Sequence, residues 1–151
     1  MIVKDFRQRW ATMESVKWNN ALQEQWRVRP DTPSQWSHCP VAPLYILFEG
    51  LVGLRPLSPG FQRVQVRPQL ADLGEIELVA YTPPGPLRFT AKGRLGDRQV
   101  AIELPAGCEG ELALPAEEKV SLEPVGGIAA GGLRRYRLPA GRTTAIQVAH
   151  G

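Results

Sequence analysis

The sequence predicts a mainly β protein, an antiparallel β-sandwich preceded by a short helical segment. Apolar residues recur at helical spacing in the first third, whereas after Arg55 they alternate with polar residues at the period of a β-strand. All four tryptophans precede Arg55, and ten of the fourteen prolines follow it. This change in composition predicts two domains, a helical segment over 1–54 and a β-sandwich over 55–151.

Three helices are predicted in the helical segment. The spacing of apolar residues over 2–13 predicts a helix with one buried face, and 19–26 predicts a second, shorter helix. Pro40 and Pro43 fit the first turn of a third helix, where a missing N–H costs little. From residue 41 to 52 only Glu49 is charged, so this helix must be covered on most sides.

The region after Arg55 contains seven short runs that alternate between apolar and polar residues, separated by Pro and Gly turns. Such runs predict strands with one face toward a core. Their apolar members are Val64 and Val66; Ile76, Leu78 and Ala80; Leu87, Phe89 and Ala91; Val100, Ile102 and Leu104; Leu112 and Leu114; Tyr136 and Leu138; and Ile146 and Val148. The glycine-rich stretch 126–132 lacks the ending of a phosphate loop and is predicted to be a flexible hairpin loop.

Composition argues against several classes of function. The net charge is +3, and the basic residues are dispersed rather than clustered, as solvent-facing strands require, so no nucleic-acid partner is expected. Cys39 and Cys108 are too few for a disulfide framework and lack zinc spacing, so neither a metal site nor a cofactor is expected. The apolar run from 40 to 54 is shorter than the roughly twenty residues that a membrane helix needs. The first residues do not form a signal peptide, which favours the cytoplasm while leaving the compartment open.

The residues that could carry chemistry lie in the helical segment. Glu24 stands between Trp18 and Trp26, and a carboxylate among aromatic side chains can have a tuned pKa and lie beside a sugar. The alternative is a surface glutamate on a short helix. His38 precedes the third helix and is either a functional residue or a cap. Trp18, Trp26 and Trp36 can stack on sugar rings, but tryptophans at such positions more often fill cores.

Several stretches resemble the C-terminal end of bacterial α-L-rhamnosidase-type glycoside hydrolases. The resemblance covers nearly the whole chain, and its most specific part is the elbow Gly-Leu-Arg-Pro-Leu-Ser-Pro-Gly-Phe over 53–61. The stretches that carry it are 18–26, Trp36-Ser37-His38-Cys39, Ala42-Pro43-Leu44-Tyr45, 53–61 continuing through 64–68, and 82–87.

The resemblance implies a fold and a set of roles. In that family an α/α six-hairpin toroid holds the active site, a β-sandwich follows it, and terminal α-L-rhamnose is removed with inversion. Inversion requires a general acid and a separate general base. The base maps onto Glu24 and the sugar-contacting histidine onto His38. Trp26 and Trp36 are predicted to bind substrate beside His38, because their rings can stack on a sugar. The acid lies upstream and nothing here matches it. Gln23 and the stretch 39–41 depart from the family's pattern.

We therefore expect the C-terminal portion of such an enzyme: the last toroid helices plus the β-sandwich. The intact parent would take a rhamnose-containing glycan, and the isolated chain would not hydrolyse it. The alternative is a stand-alone β-sandwich module that binds a glycan or a partner protein. Self-association through the exposed helical segment is expected of a fragment and not of an evolved module.

Overall fold

The structure, a computed structural model, describes residues 41–150, and its strands form two β-sheets. In chain order the strands are β1 (Arg55–Pro56), β2 (Arg63–Val66), β3 (Glu75–Thr82), β4 (Gly85–Arg94), β5 (Asp97–Glu103), β6 (Glu109–Pro115), β7 (Glu118–Lys119), β8 (Leu133–Leu138) and β9 (Thr143–His150). The predicted mainly β fold class is confirmed. The predicted elements before residue 41 lie outside the described residues.

The helix predicted to follow Pro40 is present and changes its hydrogen-bonding period along its length. It begins as α1 (Val41–Tyr45) and continues as a π-helical stretch (Ile46–Val52). The chain divides into two units between Leu47 and Phe48. The predicted domain boundary between residues 54 and 55 stays a prediction. Within the described range, no helix is long and apolar enough to cross a bilayer.

The two sheets differ in how their strands connect. Sheet I has the order β1-β2-β6-β8, and sheet II has the order β3-β4-β5-β9-β7. All neighbouring pairs are antiparallel except β2 and β6, which run parallel with Arg63 opposite Glu109. The exception arises because the chain leaves sheet I after β2, builds three strands of sheet II, and then returns. A parallel pair requires such a crossover.

The core lies between the sheets and contains the inward residues that the alternation predicts. Leu87, Phe89 and Ile102 of sheet II and Val64, Val66, Leu112, Leu114 and Leu138 of sheet I are almost completely buried in one apolar cluster. Ile76 and Leu78 are only half-buried, because β3 is one of the two edge strands of sheet II. Burying such side chains is the main source of stability of a fold like this one.

The glycine-rich stretch forms the turn of a hairpin-like return onto β8, as predicted, and its flexibility stays a prediction. It lies on the connection from β7 of sheet II to β8 of sheet I, and isolated bridges rather than a continuous strand hold the incoming segment to β8. Isolated bridges pair Pro124 with Tyr136 and Ala129 with Leu133, so the segment runs back along β8. The crossing from sheet II to sheet I was not predicted, because which strands are neighbours across two sheets depends on contacts distant in sequence.

Candidate functional site

The four residues to which the sequence assigns catalytic or substrate-binding roles lie before the described range. Glu24, Trp26, Trp36 and His38 are all outside residues 41–150. Their placement and their roles stay predictions. The described residues instead show how the helix end joins the sandwich, and they contain a cleft that the sequence did not reveal.

Main-chain hydrogen bonds attach the end of the helix to the segment after β2. The N–H of Arg67 donates to the carbonyl of Gly53 at 3.1 Å, and the N–H of Gln69 donates to the carbonyl of Leu51 at 2.7 Å. We call these two bonds the elbow clasp. Gly53 has φ of 66°, and a Cβ there would clash with the backbone of Arg67. Glycine is therefore required for the two backbones to approach so closely.

A tight turn after β1 places two residues of the cleft. The N–H of Leu57 donates to the carbonyl of Arg63 at 2.8 Å, and the N–H of Arg63 donates to the hydroxyl of Ser58 at 2.9 Å. Gly60 and Phe61 both have left-handed backbone angles, with φ of 65° and 57°. This turn reverses the chain within a few residues, so Leu57 lies beside the start of β2.

A cleft with a volume of about 330 Å³ lies on the outer face of sheet I, the face opposite the core. Charged side chains from three strands form its floor, and two apolar residues border it. We call it the outer-face cleft. The floor consists of Arg63 from β2, Glu109 and Glu111 from β6, and Arg135 and Arg137 from β8, and the borders are Leu57 and Val125.

Strand alternation explains why these charges share one face. Val64, Leu112 and Tyr136 point into the core, so their neighbours along each strand point outward. The register then places Arg63 opposite Glu109 and Glu111 opposite Arg137. On the far side of β8, the N–H of Val125 donates to the carbonyl of Arg135 at 2.7 Å. The charged floor is therefore a consequence of how β2, β6 and β8 pair.

Ion pairs cross the cleft diagonally between β6 and β8. Nη2 of Arg137 lies 3.6 Å from a carboxylate oxygen of Glu109, and Nη1 of Arg135 lies 4.0 Å from Glu111. The side-chain amide of Gln65 also donates to Glu111 at 2.7 Å. No carboxylate in the described part of the chain pairs with the guanidinium of Arg63. Among the described residues, the floor therefore carries one more positive charge than negative charges.

The chemistry of the cleft suits binding rather than covalent catalysis. Its lining contains no serine, cysteine or histidine, so the nucleophile–base pairs that are built from these residues are absent from it. Cys108 lies nearby in sequence but is completely buried, and this burial raises the pKa of its thiol. A thiol with a raised pKa is a poor nucleophile. Residues 41–150 contain no cluster of side chains suited to a metal ion.

The sequence indicates which of the cleft side chains point away from the core, but not that they lie close to one another. Alternation with the apolar Val64 and Tyr136 predicts that Arg63 and Arg137 point away from the core, and both are exposed. Their strands are far apart in the sequence, and the pairing of β2 with β6 is parallel. Local sequence patterns do not predict which distant strands pair. The arginines are therefore dispersed in the sequence, although the folded sheet brings them together. The available signal in the sequence was the spacing of two residues between Arg135 and Arg137 in β8, and the same spacing between Glu109 and Glu111 in β6.

Comparison with known proteins connects this fold to one family. The family model for the bacterial alpha-L-rhamnosidase C-terminal domain matches residues 53–129, from Gly53 of the elbow clasp to the segment between β7 and β8. No curated protein matches the sequence.

Two solved structures resemble the fold. The Streptomyces avermitilis alpha-L-rhamnosidase, determined in complex with L-rhamnose, superposes with a TM-score of 0.59 at 17% identity over 85% of this chain. The alpha-L-rhamnosidase of Dictyoglumus thermophilum has the same TM-score and coverage at 19% identity. This chain spans only 13% and 16% of the lengths of those two proteins.

At these identities the structural likeness concerns the fold, whereas the family match concerns the sequence over half of the chain. Both point to the same group of proteins, and the match begins at Gly53, whose backbone conformation the elbow clasp requires. The chain belongs to the bacterial alpha-L-rhamnosidase C-terminal domain family.

Proposed function

We propose that this chain is the C-terminal portion of an inverting α-L-rhamnosidase, comprising the last helices of its catalytic domain and the sandwich that follows. The observation that carries the proposal is the family match over 53–129, which begins where the helix joins the sandwich. The small share of the similar enzymes that the chain spans also supports it. On this proposal the remainder of the parent supplies the rest of the catalytic domain.

The proposed roles of Glu24 and His38 follow the family resemblance of the helical segment, and those of the tryptophans follow from their ability to stack on sugar rings. Glu24 activates the attacking water as general base, His38 contacts the rhamnose, and Trp26 and Trp36 border the sugar. An inverting glycosidase places a carboxylic acid and a carboxylate base far enough apart to admit a water molecule between them. Since no residue here resembles the acid, the isolated chain is proposed to be inactive.

An assay on an aryl α-L-rhamnoside tests both parts of the proposal. We expect the complete parent to turn over and the isolated chain to show no activity above the uncatalysed rate. In the parent, Glu24→Gln should lower kcat by about 10²- to 10⁴-fold, the usual contribution of a positioned base. Glu103→Gln, an exposed glutamate of β5, is the matched control and should leave kcat unchanged.

Proton NMR of the first-formed rhamnose reports whether the anomeric configuration inverts. Turnover by the isolated chain would contradict its proposed dependence on an upstream acid. A parent that retains full activity with Glu24→Gln would contradict the role of the base.

The outer-face cleft favours a second candidate, a β-sandwich module that binds a glycan. A cleft of about 330 Å³ with convergent polar groups is at the small end of the range for ligand sites. This candidate requires that the chain binds a glycan and that no form of the protein hydrolyses the rhamnoside. Activity of the complete parent therefore separates it from the first.

A further inference from the structure

We propose that the outer-face cleft binds a sugar that carries a carboxylate, with the guanidinium of Arg63 as its main contact and Arg137 as its second. The choice of a sugar among carboxylates rests on the proposed function, because the parent is proposed to act on a glycan. The preference for a negative charge rests on the cleft alone. Neither cleft arginine belongs to the proposed catalytic machinery.

The charge balance of the floor favours an anion. Three arginines and two glutamates of the described residues line the cleft, so it carries one more positive charge than negative charges. Glu111 is engaged by Gln65 at 2.7 Å as well as by Arg135, so it is not available to Arg63. A carboxylate placed beside Arg63 would complete the alternation of charge across β2, β6 and β8. A planar guanidinium can bind a carboxylate through two parallel hydrogen bonds.

The existing pair between Arg137 and Glu109 is weak enough to rearrange. Its atoms are 3.6 Å apart, and the two side chains are 74% and 61% exposed. Exposed pairs of this kind contribute only about 0–1 kcal/mol. Arg137 can therefore turn from Glu109 toward a ligand at little cost in free energy. Glu111, by contrast, contacts both Gln65 and Arg135 and is expected to keep its position in the floor.

The borders of the cleft suit the apolar face of a sugar ring. Leu57 is 41% exposed and Val125 is 58% exposed, and they lie at opposite edges of the charged floor. Exposed apolar side chains beside polar groups can cover ring C–H groups while the polar groups fix orientation. The cleft has space for a small ligand, so one sugar residue with its carboxylate is the unit that it fits.

The test is an NMR titration of the ¹⁵N-labelled chain with D-glucuronate. D-glucose, acetate and sulfate serve as comparison ligands. We expect saturable shifts at the amides of Arg63, Gly110 and Arg137, with a Kd on the order of 1 mM, as expected for one exposed sugar unit. Glucose lacks the charge and acetate lacks the ring, so each should bind at least about tenfold more weakly. Sodium chloride should weaken the binding, because salt screens exposed charges.

Three variants locate the contact. Arg63→Gln and Arg137→Gln each remove one charge from the cleft, and each should raise the Kd for glucuronate about tenfold, the effect of losing one charge-assisted hydrogen bond. Arg88→Gln is the matched control, because Arg88 pairs with Glu103 at the same 3.6 Å on sheet II. It should leave the Kd unchanged. Circular dichroism and urea unfolding check that all three variants remain folded.

Four outcomes overturn the cleft proposal, and a fifth bears only on the proposed function. Equal binding of acetate or sulfate would show a general anion site, and equal binding of glucose would show that the charge is irrelevant. Equal weakening by Arg88→Gln would show only an effect of net charge. Failure of glucuronate to bind while the parent hydrolyses rhamnosides would reject the cleft and leave the proposed function standing. Binding together with an inactive parent would reject the proposed function alone.

Discussion

Among single residues, Gly53 combines a left-handed backbone with a close approach to another strand. Its φ is 66°, and the backbone of Arg67 occupies the space where a Cβ would project. Gly60 has nearly the same φ, 65°, but has no neighbouring atom within 4 Å of that position. Comparing alanine substitutions at the two glycines therefore separates the free-energy cost of the left-handed backbone from the cost of the steric clash.

We predict that Gly53→Ala destabilises the fold by about 3 kcal/mol or more, because it adds a backbone clash to the left-handed penalty of about 1–2 kcal/mol. Gly60→Ala, the matched control, should cost only about 1 kcal/mol. Urea unfolding followed by circular dichroism measures both. Equal losses of unfolding free energy for the two substitutions would show that the elbow clasp can separate to admit the Cβ without further destabilising the fold.

Arg98 is a charged residue at a position where alternation requires a core side chain. It is 8% exposed, and its Nη2 donates at 3.0 Å to the carbonyls of both Ala71 and Leu73. Its Nε is buried and has no hydrogen-bond partner among the described residues. Burial of a charge is costly unless hydrogen bonds compensate. The two hydrogen bonds to the carbonyls compensate this cost in part. They also stabilise the turn between β2 and β3, where Ala71 has a φ of 46°.

Strands were the elements best predicted from sequence. The inward residues of β4, β5, β6 and β8 are buried as expected, because alternation reports directly which face of a strand contacts the core. The cleft was not predicted, since it depends on which outward faces become neighbours. The π-helical stretch was also missed, because an apolar run does not distinguish one helical period from another.

The end of the helix and the residues just after it contribute to the sandwich core. Val52 is 0% exposed and Leu54 is 6% exposed, and both belong to the same apolar cluster as the strands. Phe48 and Leu51 pack against that cluster. Full burial of one such side chain contributes roughly 1.5–3 kcal/mol. The sandwich is therefore expected to depend on residues that precede the predicted boundary at 54/55.

We predict that the fragment 48–151 unfolds cooperatively in urea, and that the fragment 55–151 is less stable by about 3 kcal/mol or more. Within 48–151, Leu54→Ala should cost about 2–5 kcal/mol. Leu57→Ala is the control and should cost less than about 1 kcal/mol, because Leu57 is 41% exposed. Equal urea midpoints for the two fragments would favour the boundary at 54/55.

For the whole molecule, the proposed origin of the chain as part of a larger enzyme predicts an incompletely covered helical segment. Leu44 and Tyr45 are 42% and 63% exposed, on a helix whose sequence is almost entirely apolar. Exposed apolar surface of this kind promotes association. We therefore propose that the isolated chain self-associates through this segment.

Light scattering after size exclusion measures that behaviour. We predict a mass above that of the monomer which increases with protein concentration. Tyr45→Glu should shift the equilibrium toward monomer. Tyr81→Glu, which changes an 88% exposed tyrosine on sheet II, should have no effect. A monomer at every concentration would instead favour a stand-alone module.

The parallel pairing of β2 with β6 has a consequence for folding kinetics. The pair joins residues separated by the chain from 67 to 108, and closing a loop of that length costs roughly 3 kcal/mol of entropy. By contrast, β3, β4 and β5 pair in sequence through short turns. We expect this meander to form early and draw the ends of the loop together. Sheet I, and with it the outer-face cleft, would then assemble last.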